Sequence, residues 1–270
     1  LTWPDDYFTF QTELSYQRYS MKDWAYFIVK DGIANNLSLN LTLSRRSTDN
    51  PIYTRRGTDL SLSLQVTPPF SLWDGKDYAS MKKIDGYYEP SEKFTWIEYH
   101  KWKFKARTYT SLSDVVKTPV LMTRAEYGFV GYFNKNKKSP FETFYMGGDG
   151  MSGYSSTYAT ETIGLRGYEN GSLGTQASAY SRLALELRYP LILEPSSTIY
   201  LLGFVEAGNA WSDLNKFNPF DLKRSAGFGA RIMLPMIGLM GIDWAYGFDP
   251  INGSRDNSGS QFHFIIGQEF

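Results

Sequence analysis

Few side chains in this sequence have the type and spacing for chemistry. Glu98 and His100 stand two residues apart and would share one face of a strand, a spacing that supplies two ligands to a metal ion. No third ligand lies nearby, so the pair reads as an interface or surface histidine rather than a metal site. The stretch MGGDGMSG at 146–153 is rich in glycine but lacks the Lys-Ser/Thr that completes a phosphate loop. FDPINGSRDNSG at 248–259 has calcium-binding residue types without the spacing of a calcium loop. No serine sits in a nucleophile elbow with a histidine at hand, and the chain has no cysteine and only two histidines, His100 and His263. Catalytic residues, a cofactor and a resident metal are therefore not expected. One feature remains: ETIGLRGYENGSLG, residues 161–174, where a single Arg166 stands among glycines and small polar residues. It could be a solvated loop cation, or the anchor of a loop that must pair with a carboxylate elsewhere.

The elements that would position such a loop are strands. In NNLSLNLTLS, Leu37, Leu39, Leu41 and Leu43 alternate with polar residues, and TDLSLSLQV and SRLALELRYP repeat the pattern. Period two gives each strand one apolar and one polar face. A soluble sandwich alternates too, but its strands run to about five or six residues. A tilted membrane strand needs about 9–11, and these are that long. Alternation and turn signals predict ten strands near 7–20, 35–47, 57–68, 96–111, 119–133, 177–190, 197–211, 224–235, 238–248 and 260–270. The connections at 112–118, 191–196 and 236–237 are tight, that at 48–56 is moderate, and those at 21–34, 69–95, 134–176, 212–223 and 249–259 are long. Short turns on one side and long loops on the other are the layout of an outer-membrane barrel, short side periplasmic.

Composition agrees. Aromatics reach 17% at a formal net charge of zero, which gives no reason to expect nucleic acid as a partner. No run of about 18 apolar residues could form a membrane helix. Trp96, Trp102, Trp211, Trp244 and Tyr246 fall near predicted strand ends, where aromatic girdles sit. Lys101, Lys103, Lys105 and Arg107 share one strand face, and each would cost about 2–4 kcal/mol against lipid near the midplane, so that face must line a watery lumen. Because the sequence opens on LTWPDDYFTF, already close to a strand, it is expected to be part of a longer protein.

Three segments resemble, in order, motifs of the BamA-type outer-membrane barrel assembly proteins, a superfamily shared with TamA and two-partner-secretion transporters. Leu165-Arg166-Gly167-Tyr168 is similar to the loop signature V-R-G-[FY], with PFETFYMGG resembling the segment that leads into it. LLGFVEAGNAW resembles a strand motif in which an aspartate precedes a glycine by two; here Glu206 and Gly208 hold those places. SAGFGARIMLPMIGLMGIDWAYGF and FHFIIGQEF are similar to the two penultimate strands and the closing strand. The second half of the chain carries the resemblance by motif, the first half by strand layout only.

The resemblance implies an all-β antiparallel transmembrane barrel of sixteen strands, with residues 1–270 its last ten and upstream strands and POTRA domains outside this sequence. It implies that 134–176 is the sixth extracellular loop, folded back into the lumen, with Arg166 forming a bidentate pair with a lumen-facing Glu206, a fork that lysine would not reproduce. Gly167 and Gly171 would let the loop turn and approach the wall. The function implied is folding and insertion of β-barrel clients at a lateral seam involving the last strand, where Phe262, Phe264, Ile266 and Phe270 share an apolar face and Gly267 permits a kink. The expected partners are unfolded outer-membrane clients, accessory lipoproteins, and outer-membrane lipid and lipopolysaccharide, with the outer membrane of a Gram-negative bacterium as the location. The alternatives are a two-partner-secretion or autotransporter-assembly relative that serves one dedicated partner, or a passive porin.

Overall fold

Residues 4–25, 27–150, 161–194, 196–234 and 238–267 are described in a computed structural model of the chain. The alternating segments form ten long strands: β1 (Phe8–Met21), β2 (Gly32–Arg46), β3 (Gly57–Val66), β4 (His100–Ser111), β5 (Val120–Gly131), β9 (Ala179–Glu194), β10 (Ser197–Trp211), β11 (Lys223–Leu234), β12 (Gly238–Gly247) and β13 (Ser260–Ile266). Each pairs antiparallel with its sequence neighbour in one sheet, and β5 meets β9 across the longest connection. Three short strands inside that connection, β6 (Phe144–Met146), β7 (Glu161–Ile163) and β8 (Gly174–Ala177), make a separate small sheet in the order β7–β6–β8. A twelve-residue strand such as β5 rises about 40 Å, more than the roughly 30 Å of a hydrocarbon core.

The alternation sorts side chains as the pattern requires. Along β9 and β10, Leu185, Leu187, Leu201 and Val205 are exposed on the outer face, while Glu186, Arg188, Phe204 and Glu206 are buried on the inner one. On β4, Trp102 and Phe104 point outward and Lys101, Lys103 and Lys105 inward. A sheet that is apolar outside and charged inside is inverted relative to a soluble sandwich, and lipid is the solvent that suits it. β1 and β13 are the sheet's two edge strands.

The interior is filled at two levels. Toward the long loops, Phe27, Ile97, Tyr99, Phe144, Leu165 and Tyr168 belong to one buried cluster. Toward the tight turns a second cluster gathers Tyr53, Tyr109, Met122, Tyr200 and Phe204. Tyr53 belongs to the moderate turn at 48–56, which reaches beneath the sheet so that its hydroxyl donates to the Arg188 carbonyl at 3.3 Å.

Three expectations need correction. The strand expected from residue 96 begins at His100, because Ile97 N–H donates to Asn35 O at 2.8 Å and Trp96 bridges Asn35 in parallel, tying 95–97 to the head of β2. Trp211 belongs to no lipid girdle: it is buried, edge-on to Phe217 at 4.7 Å. The closing strand is shorter than 260–270. It ends at Ile266, because Gly267 turns out of extended geometry at φ 74° while its N–H donates to Leu239 O at 2.7 Å. The expected tight turn at 236–237 and Phe270 lie outside the described residues.

Candidate functional site: the docked arginine loop

The connection between β5 and β9 descends into the concave face of the sheet, carried by its three-stranded sheet and by glycines in the left-handed region. Gly167 has φ 87°, and a Cβ there would stand 2.7 Å from the backbone nitrogen of Gly247, so only glycine lets the loop lie against the C-terminal end of β12. Gly171 has φ 69° in the turn after Tyr168. Leu165, Arg166 and Tyr168 are each fully buried.

Arg166 ends among three carboxylates from three strands. Its Nη2 donates to Glu186 Oε1 of β9 and to Glu206 Oε1 of β10, both at 2.7 Å, and its Nη1 donates to Asp243 Oδ2 of β12 at 3.0 Å. The Arg166 backbone N–H donates to Glu206 Oε2 at 3.1 Å. Glu206 is thus held twice by one residue, but the grip is one guanidinium arm and one amide, not the two-armed fork expected. The longer reach of glutamate over aspartate lets one carboxylate span both donors. The guanidinium carbon also lies 3.4 Å from the centroid of the Phe204 ring, a cation–π contact that closes the remaining face.

Each acid is itself shared with a second arginine. Arg182 Nη2 donates to Glu206 Oε1 at 2.8 Å, Arg188 donates to Glu186 Oε2 from Nε and Nη2 at 3.0 and 2.7 Å, and Arg231 forks onto Asp243 at 2.6 and 2.8 Å. A buried charge is tolerated only when paired and hydrogen-bonded, and this network meets that condition for all three acids. Nearby, Arg124 is buried with Glu126 as its nearest acid at 3.8 Å, and its guanidinium makes no hydrogen bond among the described residues.

The lumen-facing lysines form a second attachment. Glu161 of β7 lies 3.2 Å from Lys101 Nζ and 3.0 Å from Lys103 Nζ, with Lys105 at 3.9 Å. Glu142, at the start of the loop, takes Lys101 at 3.3 Å from a left-handed backbone position at φ 64°. Burial pushes the Glu161 carboxyl pKa up, but the three lysines outweigh it and hold the value down to about 2. Glu161 has 25% of its side chain exposed, so this attachment is wetter than the arginine cluster.

A third set of contacts joins the loop to the last hairpin and to the start of β11. Gly167 N–H donates to His263 Nε2 of β13 at 2.9 Å, Glu169 N–H to Asn257 O at 3.1 Å, and the Tyr168 hydroxyl to Arg224 O at 2.7 Å.

Of the residues singled out in the sequence, Arg166, Glu206, Leu165, Gly167 and Tyr168 come together, and Gly171 lies just beyond. Phe262, Phe264 and Ile266 do share a face, but it is the exposed outer face of β13 and not its pairing edge. Glu98 and His100 part company. Glu98 accepts from Ser71 N–H at 2.7 Å and lies 3.5 Å from Lys137 Nζ, whereas His100 Nδ1 accepts from Trp102 Nε1 at 3.2 Å. Glu186 and Asp243 were not singled out as partners of Arg166, nor His263 as the acceptor of the Gly167 N–H. The alternation did place Glu186 on the polar face of its strand; nothing local marked it as a partner of a loop twenty residues upstream.

The Omp85 superfamily domain matches residues 4–270. Among solved structures, the chain is similar to BamA from Haemophilus ducreyi lacking POTRA domains 1–3, at TM-score 0.65 and 17% identity, over 97% of this chain and 51% of that one. The chain therefore spans about half the length of that relative, and the likeness is one of fold. No curated protein sequence matches the chain.

Proposed function

Since the chain belongs to the Omp85 superfamily and is an outer-membrane β-barrel protein of Gram-negative bacteria, we propose that it is the seam-bearing part of a barrel that folds and inserts outer-membrane β-barrel clients. The observation that carries this reading is the loop docked beside β13, where Gly167 N–H donates to His263 Nε2 of that strand at 2.9 Å. Phe262, Phe264 and Ile266 face outward to lipid. Unpaired ladder groups are not tolerated in hydrocarbon, so the edge of β13 pairs either with another strand of the full barrel or with a client strand. A client strand adding to it by β-augmentation satisfies both chains at once, and no covalent chemistry is required.

Loop six, residues 134–176, serves in this reading as the internal brace. Its arginine draws acids from β9, β10 and β12 onto one cation and sets the curvature of the wall next to the seam. Accessory lipoproteins, and outer-membrane lipid with lipopolysaccharide, are the proposed further partners. Reconstituting the full-length protein in liposomes and following the folding of a denatured client barrel tests the proposal. Client folding should be faster than on empty liposomes and should fall when Arg166 is replaced by alanine. Equal rates with and without the protein would refute it, and selective transport of one dedicated soluble partner would favour an exporter.

A further inference from the structure

The Gly167–His263 contact links the loop-six motif directly to the closing strand, and its chemistry is one-directional. Gly167 contributes an N–H at 2.9 Å, so His263 Nε2 must be the acceptor and carry no proton, which places the ring proton of the neutral imidazole on Nδ1. His263 is buried on β13, directly across from Asp243 in the β12–β13 register, and Asp243 is one of the acids on Arg166. Among the described residues, the charged groups around the ring are Arg166 and Asp149 of loop six, Asp243 of β12 and Glu206 of β10. The two wall acids are already engaged by arginine donors. A cavity of about 320 Å³ lies between loop six and β13, lined in part by Asp149, Glu169, Asn170, Gln261 and His263, and it gives water a path to the imidazole.

We propose that His263 is a positioning residue that ties the closing strand to the docked loop only in its neutral form, so that protonation releases the strand edge at the seam. A proton on Nε2 would set two N–H donors against each other and add a second cation beside Arg166. The contact is therefore present at higher pH and lost as pH falls. The inference rests on the reading of β13 as the seam strand, and deepens it by naming what holds that strand.

The test uses the full-length protein in lipid nanodiscs, with nitroxides at the exposed positions Glu169 and Asp256 on the two sides of the contact. Dipolar coupling between them reports the fraction of molecules with loop and hairpin together. That fraction should fall at least about twofold between about pH 8 and about pH 5. His263→Gln, which keeps a neutral acceptor, should hold the high fraction at both values, and His263→Ala should show the low one at both. Because His263→Ala could fail to fold, the Gln variant decides alone if heat-modifiable gel mobility is lost. An unchanged fraction in the native protein, or the same fall in the Gln variant, overturns the proposal. Client folding measured on the same samples separates the two readings. A pH-dependent contact in a protein that folds no client would leave the His263 link standing and remove the assembly role.

Discussion

Arg182 Nη2 and Arg166 Nη2 meet on a single oxygen, Glu206 Oε1, at 2.8 and 2.7 Å. One arginine belongs to the wall and the other to the loop, so Glu206 compensates the wall whether or not the loop is docked. The same holds for Glu186 with Arg188 and for Asp243 with Arg231. Loop release therefore leaves no wall acid without a cation.

Replacing Arg166 makes this measurable. A hydrogen bond to a charged group contributes about 1.5–3 kcal/mol, and Arg166 is fully buried with three acids on it. Arg166→Ala is expected to release loop six, seen as rapid proteolysis within 134–176 in an otherwise heat-modifiable barrel. Arg166→Lys is expected to recover little, since a point charge cannot serve acids arriving from three strands while stacking on Phe204.

Much of this arrangement was legible from the sequence, for reasons that differ by residue. The ten long strands follow from alternation, because lipid outside and charge inside impose period two on every spanning segment. Arg166 and Glu206 were matched through resemblance to a family, not through spacing. Glu186 and Asp243 escaped notice because a carboxylate on a lumen face has many possible cations, and only the docked path of the loop selects among them. The expected end of β13 ran past Ile266 because alternation marks no terminus, although the kink expected at Gly267 is where the backbone turns left-handed.

Glycine substitutions probe the approach of loop to wall. A Cβ on Gly247 would fall 2.3 Å from Gly167 O, and one on Gly167 would meet Gly247 N at 2.7 Å in a left-handed conformation. Backbone cannot yield as a flexible side chain can, so Gly167→Ala and Gly247→Ala should each undock the loop. Gly253→Ala, at the same sign of φ but in open space, should cost about 1 kcal/mol and leave the loop protected from protease.

The lysine attachment gives a pH dependence of known sign. Glu161 titrates near 2 when docked, against 4.5 for the ordinary side chain. A depressed carboxylate stabilises the docked state fully above its undocked value, and that contribution is lost as pH falls from about 4.5 toward 2. Loop protection should decline over that window, and Glu161→Gln should flatten the decline. Lys103→Met should weaken docking at neutral pH, with less loss than Arg166→Ala because the site is partly wet.

The most direct measurement is a double-mutant cycle on Arg166 and Glu206, read as the rate of client folding by the full-length protein in liposomes. Arg166→Ala should give the larger defect and Glu206→Ala a smaller one, because Glu186 and Asp243 still hold the loop. The double variant should lose less than the sum of the two single defects, a coupling of about 0.5–3 kcal/mol, the part that still adds being Arg182 left without Glu206. Defects that simply sum would mean that Arg166 and Glu206 act separately, and would contradict the docked-loop account.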